Sequence, residues 1–305
     1  MSYILAFDIG GTKIAVGIFD SSANEELERI VEPMPQTSYE DFLSVLDKII
    51  EQLKAEYPNV IKVGAGFCGA YDKKHDVITS AGNVPFCAGK NFRKDLKDVL
   101  QKRGTECPVF VDNDANCAAL AEALEGSGKD YDSVFLMILG TGVGGGLVIN
   151  KQLVSGSNGL TGELARVSFP IFDEMDLELA NRLFAEKRRQ HFETNANIEQ
   201  FISGKSLKWL YELRAGKVKE AHEISDPKVI DEYFELVSKA VSVIVNLIDP
   251  EAIVLSGGIS SLSGICEEVQ QRMTKYTIVE NPNTKILPAK FGATAGLKGA
   301  AMLTL

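Results

Sequence analysis

One local pattern occurs twice in this chain and limits what it can become. Residues 3–8 (YILAFD) form an apolar run that closes on Asp8. A glycine turn follows (IGGTK), and alternation resumes through residues 14–19. Residues 133–139 (SVFLMIL) repeat the apolar run, Gly140–Gly146 supplies a second glycine-rich turn, and residues 147–149 return. Apolar strand patterns on both sides of a tight turn read as a β-hairpin. Two such hairpins, one near the start of each half, imply an internal structural duplication with one unit per domain. The 305 residues exceed what one hydrophobic core usually organises, which also argues for two domains.

The remaining pattern is that of an α/β protein. A third strand is expected near 27–31, and further strands at 61–67, 108–111 and 252–255. Ser38, with Asp41 three residues on, resembles a capping box opening a helix whose buried face is Phe42, Val45, Leu46, Ile49, Ile50 and Leu53. Helices are also expected at 91–103, at 227–248 with Asp249-Pro250 ending it, and from Thr294 onward. Residues 171–225 are the least regular stretch. No linker divides the halves, so they are expected to pack with a cleft between them.

A net charge of −10 disfavours a general nucleic-acid binder but not a nucleotide site, because a glycine-rich loop with Mg²⁺ holds phosphate on an acidic protein. The five cysteines (68, 87, 107, 117 and 266) are odd in number and contain no C-x-x-C, which fits reduced thiols and a cytoplasmic location. No run approaches the ~18 apolar residues of a membrane span, and the apolar start is too short for a signal peptide.

Four motifs carry chemistry. Asp8-Ile9-Gly10-Gly11-Thr12-Lys13 places a carboxylate at a strand end before glycines that admit phosphate to the backbone; a hairpin turn needing positive φ explains it equally well. Gly140–Gly146 holds five glycines in seven residues. That suits a polyphosphate cradle, or a bulged hairpin against a close-packed helix. Ser256-Gly257-Gly258 follows a strand, where open α/β sheets take ligands, or it is a tight turn. In Val111-Asp112-Asn113-Asp114-Ala115-Asn116 one aspartate reads as a helix N-cap and the other is free to act as a base. Asn83, Glu163 and Glu199 are isolated polar residues able to grip a sugar, although each alone is more often a surface residue. In this order, two glycine turns with an acidic cluster between them and a late Gly-Gly follow the plan of the actin-like phosphotransferases.

DIGGTK at 8–13, DNDAN at 112–116, LGTGVGGGL at 139–147, TGE at 161–163 and DPEAIVLSGG at 249–258 resemble the ROK family of sugar kinases and regulators. AGNVP at 81–85 and DNDANC at 112–117 look most like its bacterial N-acetylglucosamine kinases. The resemblance implies an α/β, actin-like ATPase (ribonuclease H-like) duplicated fold with a central cleft. The expected division is 1–117 plus 291–305 as one domain and 118–290 as the larger second. It implies an ATP:sugar phosphotransferase acting on the 6-hydroxyl of an amino sugar, N-acetyl-D-glucosamine first. Another hexose (glucose, N-acetylmannosamine, fructose) and a non-catalytic sugar sensor are the alternatives.

The roles implied are Asp114 as base, Asp8 for Mg²⁺, and Gly10, Gly11, Thr12 and Lys13 with Gly140, Thr141, Gly142 and Gly144 for ATP phosphates. Gly257 and Gly258 would border the adenosine, and Asn83, Asn113, Asp114, Glu163 and Glu199 would bind the sugar. The partners implied are sugar and ATP, without nucleic acid or membrane, in a homodimer. A ROK repressor would carry a helix-turn-helix segment before the first strand, where seven residues precede Asp8. A chaperone-like ATPase would need a peptide-binding appendage.

One stretch departs from the pattern. Family members carry a His shortly after the TGE glutamate and then C-x-C-G-x-x-G-C-x-E, which bind a structural zinc. Here Arg166 stands at the His position, residues 190–199 replace the cluster, and only the closing Glu199 remains. No zinc site is therefore expected, with His191 read as a surface residue and the charged segment 184–189 as a candidate brace.

Overall fold

The structure is a computed structural model that describes residues 1–190 and 196–303, except the side chains of 184 and 186–190. It opens with β1 (Tyr3–Ile9), β2 (Lys13–Asp20) and β3 (Glu26–Pro33), then α1 (Tyr39–Glu56) and β4 (Val60–Phe67). A small hairpin follows, β5 (Ala70–Asp72) and β6 (Val77–Ser80), then α2 (Phe92–Lys102), β7 (Val109–Asn113) and α3 (Asp114–Leu124). The first sheet has the order β3-β2-β1-β4-β7, antiparallel through β1–β3 and parallel through β1, β4 and β7.

The second half begins with β8 (Ser133–Leu139), β9 (Val143–Ile149) and β10 (Gln152–Val154). Four helices follow: α4 (Glu174–Gln190), α5 (Ile198–Ile202), α6 (Gly204–Ala215) and α7 (Pro227–Ile248). Then come β11 (Ala252–Ser256), α8 (Ile265–Arg272), β12 (Lys285–Pro288) and α9 (Ala295–Met302). Its sheet has the order β10-β9-β8-β11-β12, which is the first order repeated strand for strand. The duplication that the two glycine hairpins imply is thus present in the topology.

Local chemistry sets the element ends. Ser38 accepts from the Asp41 N–H and caps α1. Asp226 caps α7, with Pro227 in its first turn, and Asp249 ends that helix in the left-handed region at φ 52°. The expected helices and strands lie where the periodicity puts them. The β5–β6 hairpin, β10 and β12 are too short to carry a periodic signal.

The first sheet sorts its side chains by alternation. Leu5, Phe7 and Ile9 of β1, with Val63, Ala65 and Phe67 of β4, enter one core under α1 and α2. There Phe42, Phe67 and Phe92 meet with ring centroids 5.5–6.3 Å apart. Ile4 and Ala6 enter the other core with Cys117, Leu120, Leu297 and Ala300 of α3 and α9. On that face β4 offers Gly64 and Gly66 opposite Ala6 and Asp8. A Cβ at Gly64 would lie 1.8 Å from the Ala300 carbonyl oxygen, and one at Gly299 would lie 1.7 Å from that of Cys117. The helix backbones therefore rest on the sheet and on each other with no side chain between.

The chain divides into two units. One comprises Met1–Asp132, Gly146–Gly162 and Lys290–Leu305; the other comprises Ser133–Gly145 and Glu163–Ala289. The first unit is larger than the 1–117 plus 291–305 read from the sequence. A boundary after Cys117 would cut α3, which packs as one rod on α9. Residues 146–162 also belong with that helix. Gly146 sits against Ala119 and Ala115, and Lys151 Nζ donates to the carbonyls of Ala123, Lys129 and Tyr131.

In the second unit Lys239 of α7 is fully buried and ion-paired with Asp173 (2.6 Å) and Asp176 (2.7 Å), which fixes the start of α4. Burial is the largest single effect on Asp173 and acts to raise its pKa, but the hydrogen bond and charge of Lys239, with the backbone N–H groups of Asp176 and Met175, together outweigh it and hold the carboxyl below its ordinary value.

Gly299→Ala is expected to lower unfolding stability by about 3 kcal/mol or more, because backbone must move to admit the methyl. Gly82→Ala, where a Cβ would meet nothing within 4 Å, is expected to change it by less than ~0.5 kcal/mol. Paired urea melts of the two variants check this.

Candidate active site

The parallel register aligns Asp8 with Gly66 and Gly66 with Asp112. All three positions lie on the α3–α9 face, so two carboxylates stand two strands apart, roughly 10 Å. The glycine between them leaves a gap, and the first turn of α3 fills it. A Cβ on Gly66 would meet the Asp114 Cα at 3.3 Å and the Cys117 Sγ at 3.2 Å. Asp114, the first residue of α3, is thereby set over the carboxyl ends of β1, β4 and β7.

The three acidic groups differ in environment. Asp112 is 2% exposed and fully engaged. It pairs with Lys73 at 2.6 Å and accepts from the Asn113 N–H, Asn116 Nδ2 and Ser155 Oγ. A buried carboxylate with four donors holds structure. Neither aspartate is the N-cap, a correction to the sequence reading: Asn113 is, its Oδ1 accepting from the Ala115 and Asn116 N–H groups. Its amide oxygen reaches those donors while its Nδ2 donates to the Gly69 carbonyl. Asn113, read as a sugar ligand, thus has its oxygen committed to the helix.

Asp8 is pushed up to about 6, first by burial and then by the charge of Asp114, against weaker opposing effects of Lys13 and Arg29. The same charges reach the thiols around it. Burial, with Asp114 next, drives Cys68 up to about 12, and buried Cys117 is raised well above the ordinary thiol range. These cysteines are inert packing at neutral pH. α9 closes the site from its own side: a Cβ on Gly296 would lie 2.8 Å from an Asp8 carboxylate oxygen.

The Gly10–Lys13 turn is closed by the Gly10 N–H donating to the Lys13 carbonyl at 2.9 Å. Neither Gly10 nor Gly11 has positive φ, so the turn does not need glycine for its conformation. Gly11 is small because Asn83 rests on it: an added Cβ would lie 2.4 Å from the Asn83 Cβ. The turn, with exposed Thr12 and Lys13, and exposed Asn83 form one surface of the first unit.

The second unit carries a different set. The glycine loop is shorter than 140–146, since β9 begins at Val143 and only Gly140, Thr141 and Gly142 form the turn. Gly144 lies in the strand, and Gly146 provides close packing against α3, where a Cβ would approach Ala119 to 2.7 Å. Beside the turn is a cavity of about 670 Å³, within the size range of nucleotide-sized ligand sites. Gly140, Thr141, Gly204, Lys205, Gly258 and Ile259 line it. Gly257 stands behind it at φ 87°, where a Cβ would meet the Leu139 carbonyl oxygen at 2.4 Å. Gly257 is needed for geometry, and Gly258 is open to the cavity.

The helix α6 was not read as functional, yet its N-terminus opens here. The Gly204 N–H donates to the Gly140 carbonyl at 2.7 Å, and Ser203 caps the helix. Lys205, Lys208 and His222 bring positive or ionisable groups to the cavity, Lys208 being paired with Glu220 at 2.7 Å. The local signal was Ser203-Gly204-Lys205, a cap, a small residue and a cation at a helix start.

Glu163 is exposed, and its side chain makes no bond to the described residues. Glu199 uses one carboxylate oxygen to accept from the Val143 N–H at 3.0 Å, and a Cβ on Gly142 would lie 2.6 Å from that oxygen. His191 and the side chains of 184 and 186–189 lie outside the described residues.

The repeated β3-β2-β1-β4-β7 order with carboxylates at its strand ends defines the class as an actin-like ATPase fold. The ROK family model matches residues 4–305. An N-acetyl-D-glucosamine kinase of Salmonella typhimurium is 33% identical over 308 residues, covering 98% of each chain. Among solved structures, the ROK hexokinase of Thermus thermophilus superposes with TM-score 0.79 at 25% identity, over 98% of this chain and 97% of that one. A ROK glucokinase of Streptomyces griseus, in complex with glucose and AMPPNP, gives TM-score 0.74 at 25% identity over 99% of both. The chain belongs to the ROK family.

The raised Asp8 pKa sets a pH dependence. Its proton binds more tightly in the folded chain than at the ordinary 3.8. The stability linked to that proton is complete below pH 3.8 and is lost as pH rises through about 6. Asp8→Asn removes the loss. The variant's melting temperature, relative to wild type, is expected to rise between pH 4 and pH 8, by the equivalent of up to about 3 kcal/mol. Thermal melts across that range check it.

Proposed function

We propose that this ROK-family chain is an ATP-dependent sugar kinase that phosphorylates the 6-hydroxyl of an amino sugar, with N-acetyl-D-glucosamine as the leading substrate. The observation that carries the reading is Asp114 at the first position of α3, beside a second, desolvated carboxylate at the end of β1. Full-length similarity to N-acetyl-D-glucosamine kinases supports the substrate class.

In the proposed reaction the sugar 6-oxygen attacks the γ-phosphorus of ATP. Its O–P bond forms as the bond to the β,γ-bridging oxygen breaks, and ADP leaves. Asp114 takes the hydroxyl proton as the attack proceeds. Asn113 serves by fixing the start of α3, and hence Asp114, through its cap. Asn83 and Glu163 offer exposed polar groups to sugar hydroxyls. The Gly10–Lys13 turn and the Gly140–Gly142 turn offer backbone and side-chain donors to phosphate. The cavity at Gly258 and Ile259 suits the nucleoside, and Lys205 in its lining offers a cation to the phosphates.

Mg²⁺ fits the donor set of the first unit: Asp8 is a hard oxygen ligand, desolvated and repelled by Asp114. No group of three acidic, His or Cys residues among the described residues forms a closed metal site. Mg²⁺ is commonly held by one or two carboxylates and substrate phosphates instead. When bound with ATP it would neutralise charge developing on the phosphates.

ADP release with Mg·ATP against N-acetylglucosamine, N-acetylmannosamine, glucose, mannose and fructose tests the reading. One sugar is expected to be turned over far better than the rest, and Asp114→Asn is expected to cut kcat by roughly 10²–10⁴ with small effect on sugar binding. Sugar binding without turnover in the wild type would favour a sensor. Lys205→Ala is expected to raise the ATP KM about tenfold while leaving the sugar KM within about twofold.

A further inference from the structure

The donor chemistry of residues 163–199 does not fit the zinc site that family resemblance implies. No Cys lies between Cys117 and Cys266, and Arg166 occupies the His position. Yet the two ends of this segment are joined by something else. Ser168 and Asn197 form an antiparallel bridge. The Phe169 N–H donates to the Ala196 carbonyl, and the Ile198 N–H to the Val167 carbonyl, both at 2.8 Å.

Immediately beyond that bridge the rings of Phe169 and Phe201 stack with centroids 4.0 Å apart and planes 7° from parallel. They are 4% and 2% exposed. Asn197 and Gln200 cap α5 reciprocally. Tyr233 of α7 donates its hydroxyl to the Ile202 carbonyl, and Ser206 Oγ donates to the Glu199 carbonyl. Five residues of helix would not hold together alone, so these contacts define α5.

We propose that this clip is a metal-free clasp that positions Glu163 and Glu199 toward the sugar, with Phe169 and Phe201 as the positioning residues. Glu163 leads directly into the 3₁₀ turn Leu164–Arg166, on which α5 packs, and Glu199 is the second residue of α5. Among the described residues they are linked by two backbone hydrogen bonds and an aromatic stack. The same clasp sets Glu199 against Val143, which ties it to the Gly140–Gly142 turn. The inference rests on the sugar-kinase reading for what the two carboxylates hold, but not for the clasp itself.

Two arms test it on the full chain. The first is hydrogen exchange without ligand, with elemental analysis for zinc. The Phe169 and Ile198 amides are expected to be protected, unchanged by a transition-metal chelator, and specifically deprotected in Phe201→Ala while α7 stays protected. The second is kinetics. Phe201→Ala is expected to raise the sugar KM roughly tenfold with the ATP KM within about twofold, and Phe201→Leu to restore most of it. If Phe201→Ala does not fold, Asn197→Ala, which opens only the cap, is expected to raise the sugar KM about threefold.

One zinc per chain whose removal deprotects the clip overturns the proposal. So does loss of clip protection with an unchanged sugar KM. If no sugar is turned over by wild type, the kinase reading fails, and the exchange arm still decides whether the clasp is metal-free.

Discussion

The first unit depends on backbone meeting backbone. Gly64 of β4 lies against the Ala300 backbone and Gly299 of α9 against that of Cys117, while Gly66 leaves room for the first turn of α3 and Gly296 for the Asp8 carboxylate. Were Gly64 or Gly299 to carry a methyl, the helices would stand off. The start of α3 would then leave the carboxyl ends of the strands. Close packing of this kind tolerates little volume change. Here it also fixes the distance between two acids, because Asp8 points to the same face as the glycines and Asp114 is the first residue of the helix they admit.

From that contact the electrostatics follow. Asp112 sits in the same row as Asp8 but is neutralised by Lys73 and three further donors. Asp8 receives less compensation and feels Asp114 as well, so its proton is held more tightly. An arrangement that is costly to the free protein is suited to a cation and to charge in transit. In the second unit the chemistry is gentler: a helix start, Gly140 and Thr141 of the glycine turn and two lysines around a cavity.

Much of this was legible in the chain. Strand–glycine–strand repeated at 3–19 and 133–149 foretold the duplicated sheets, the Ser38 cap placed the start of α1, and periodicity with Asp249-Pro250 placed α7 nearly to the residue. Motif order pointed to the family. What sequence reasoning could not supply was the purpose of individual glycines. Gly140–Gly146 reads as one loop, yet three of its residues turn, Gly144 extends the strand and Gly146 admits a helix. Gly64, Gly66, Gly296 and Gly299 matter through partners distant in sequence, which no local pattern encodes. The cap on α3 was misassigned because Asp112, Asn113 and Asp114 are all good cap formers, and only the fold shows which one meets the free N–H groups. The α6 cavity was missed because its lining comes from several separate segments.

The central claim is that α3 packing places Asp114 and Asp8 in one desolvated site. Carboxyl ¹³C NMR titration of Asp8, in the wild type and in Asp114→Asn, tests it most directly. The account predicts that Asp8 titrates near pH 6 in the wild type and moves down, though not fully to its ordinary value, when the Asp114 charge is removed. An Asp8 that titrates as an ordinary surface carboxylate, or one indifferent to Asp114, would contradict it.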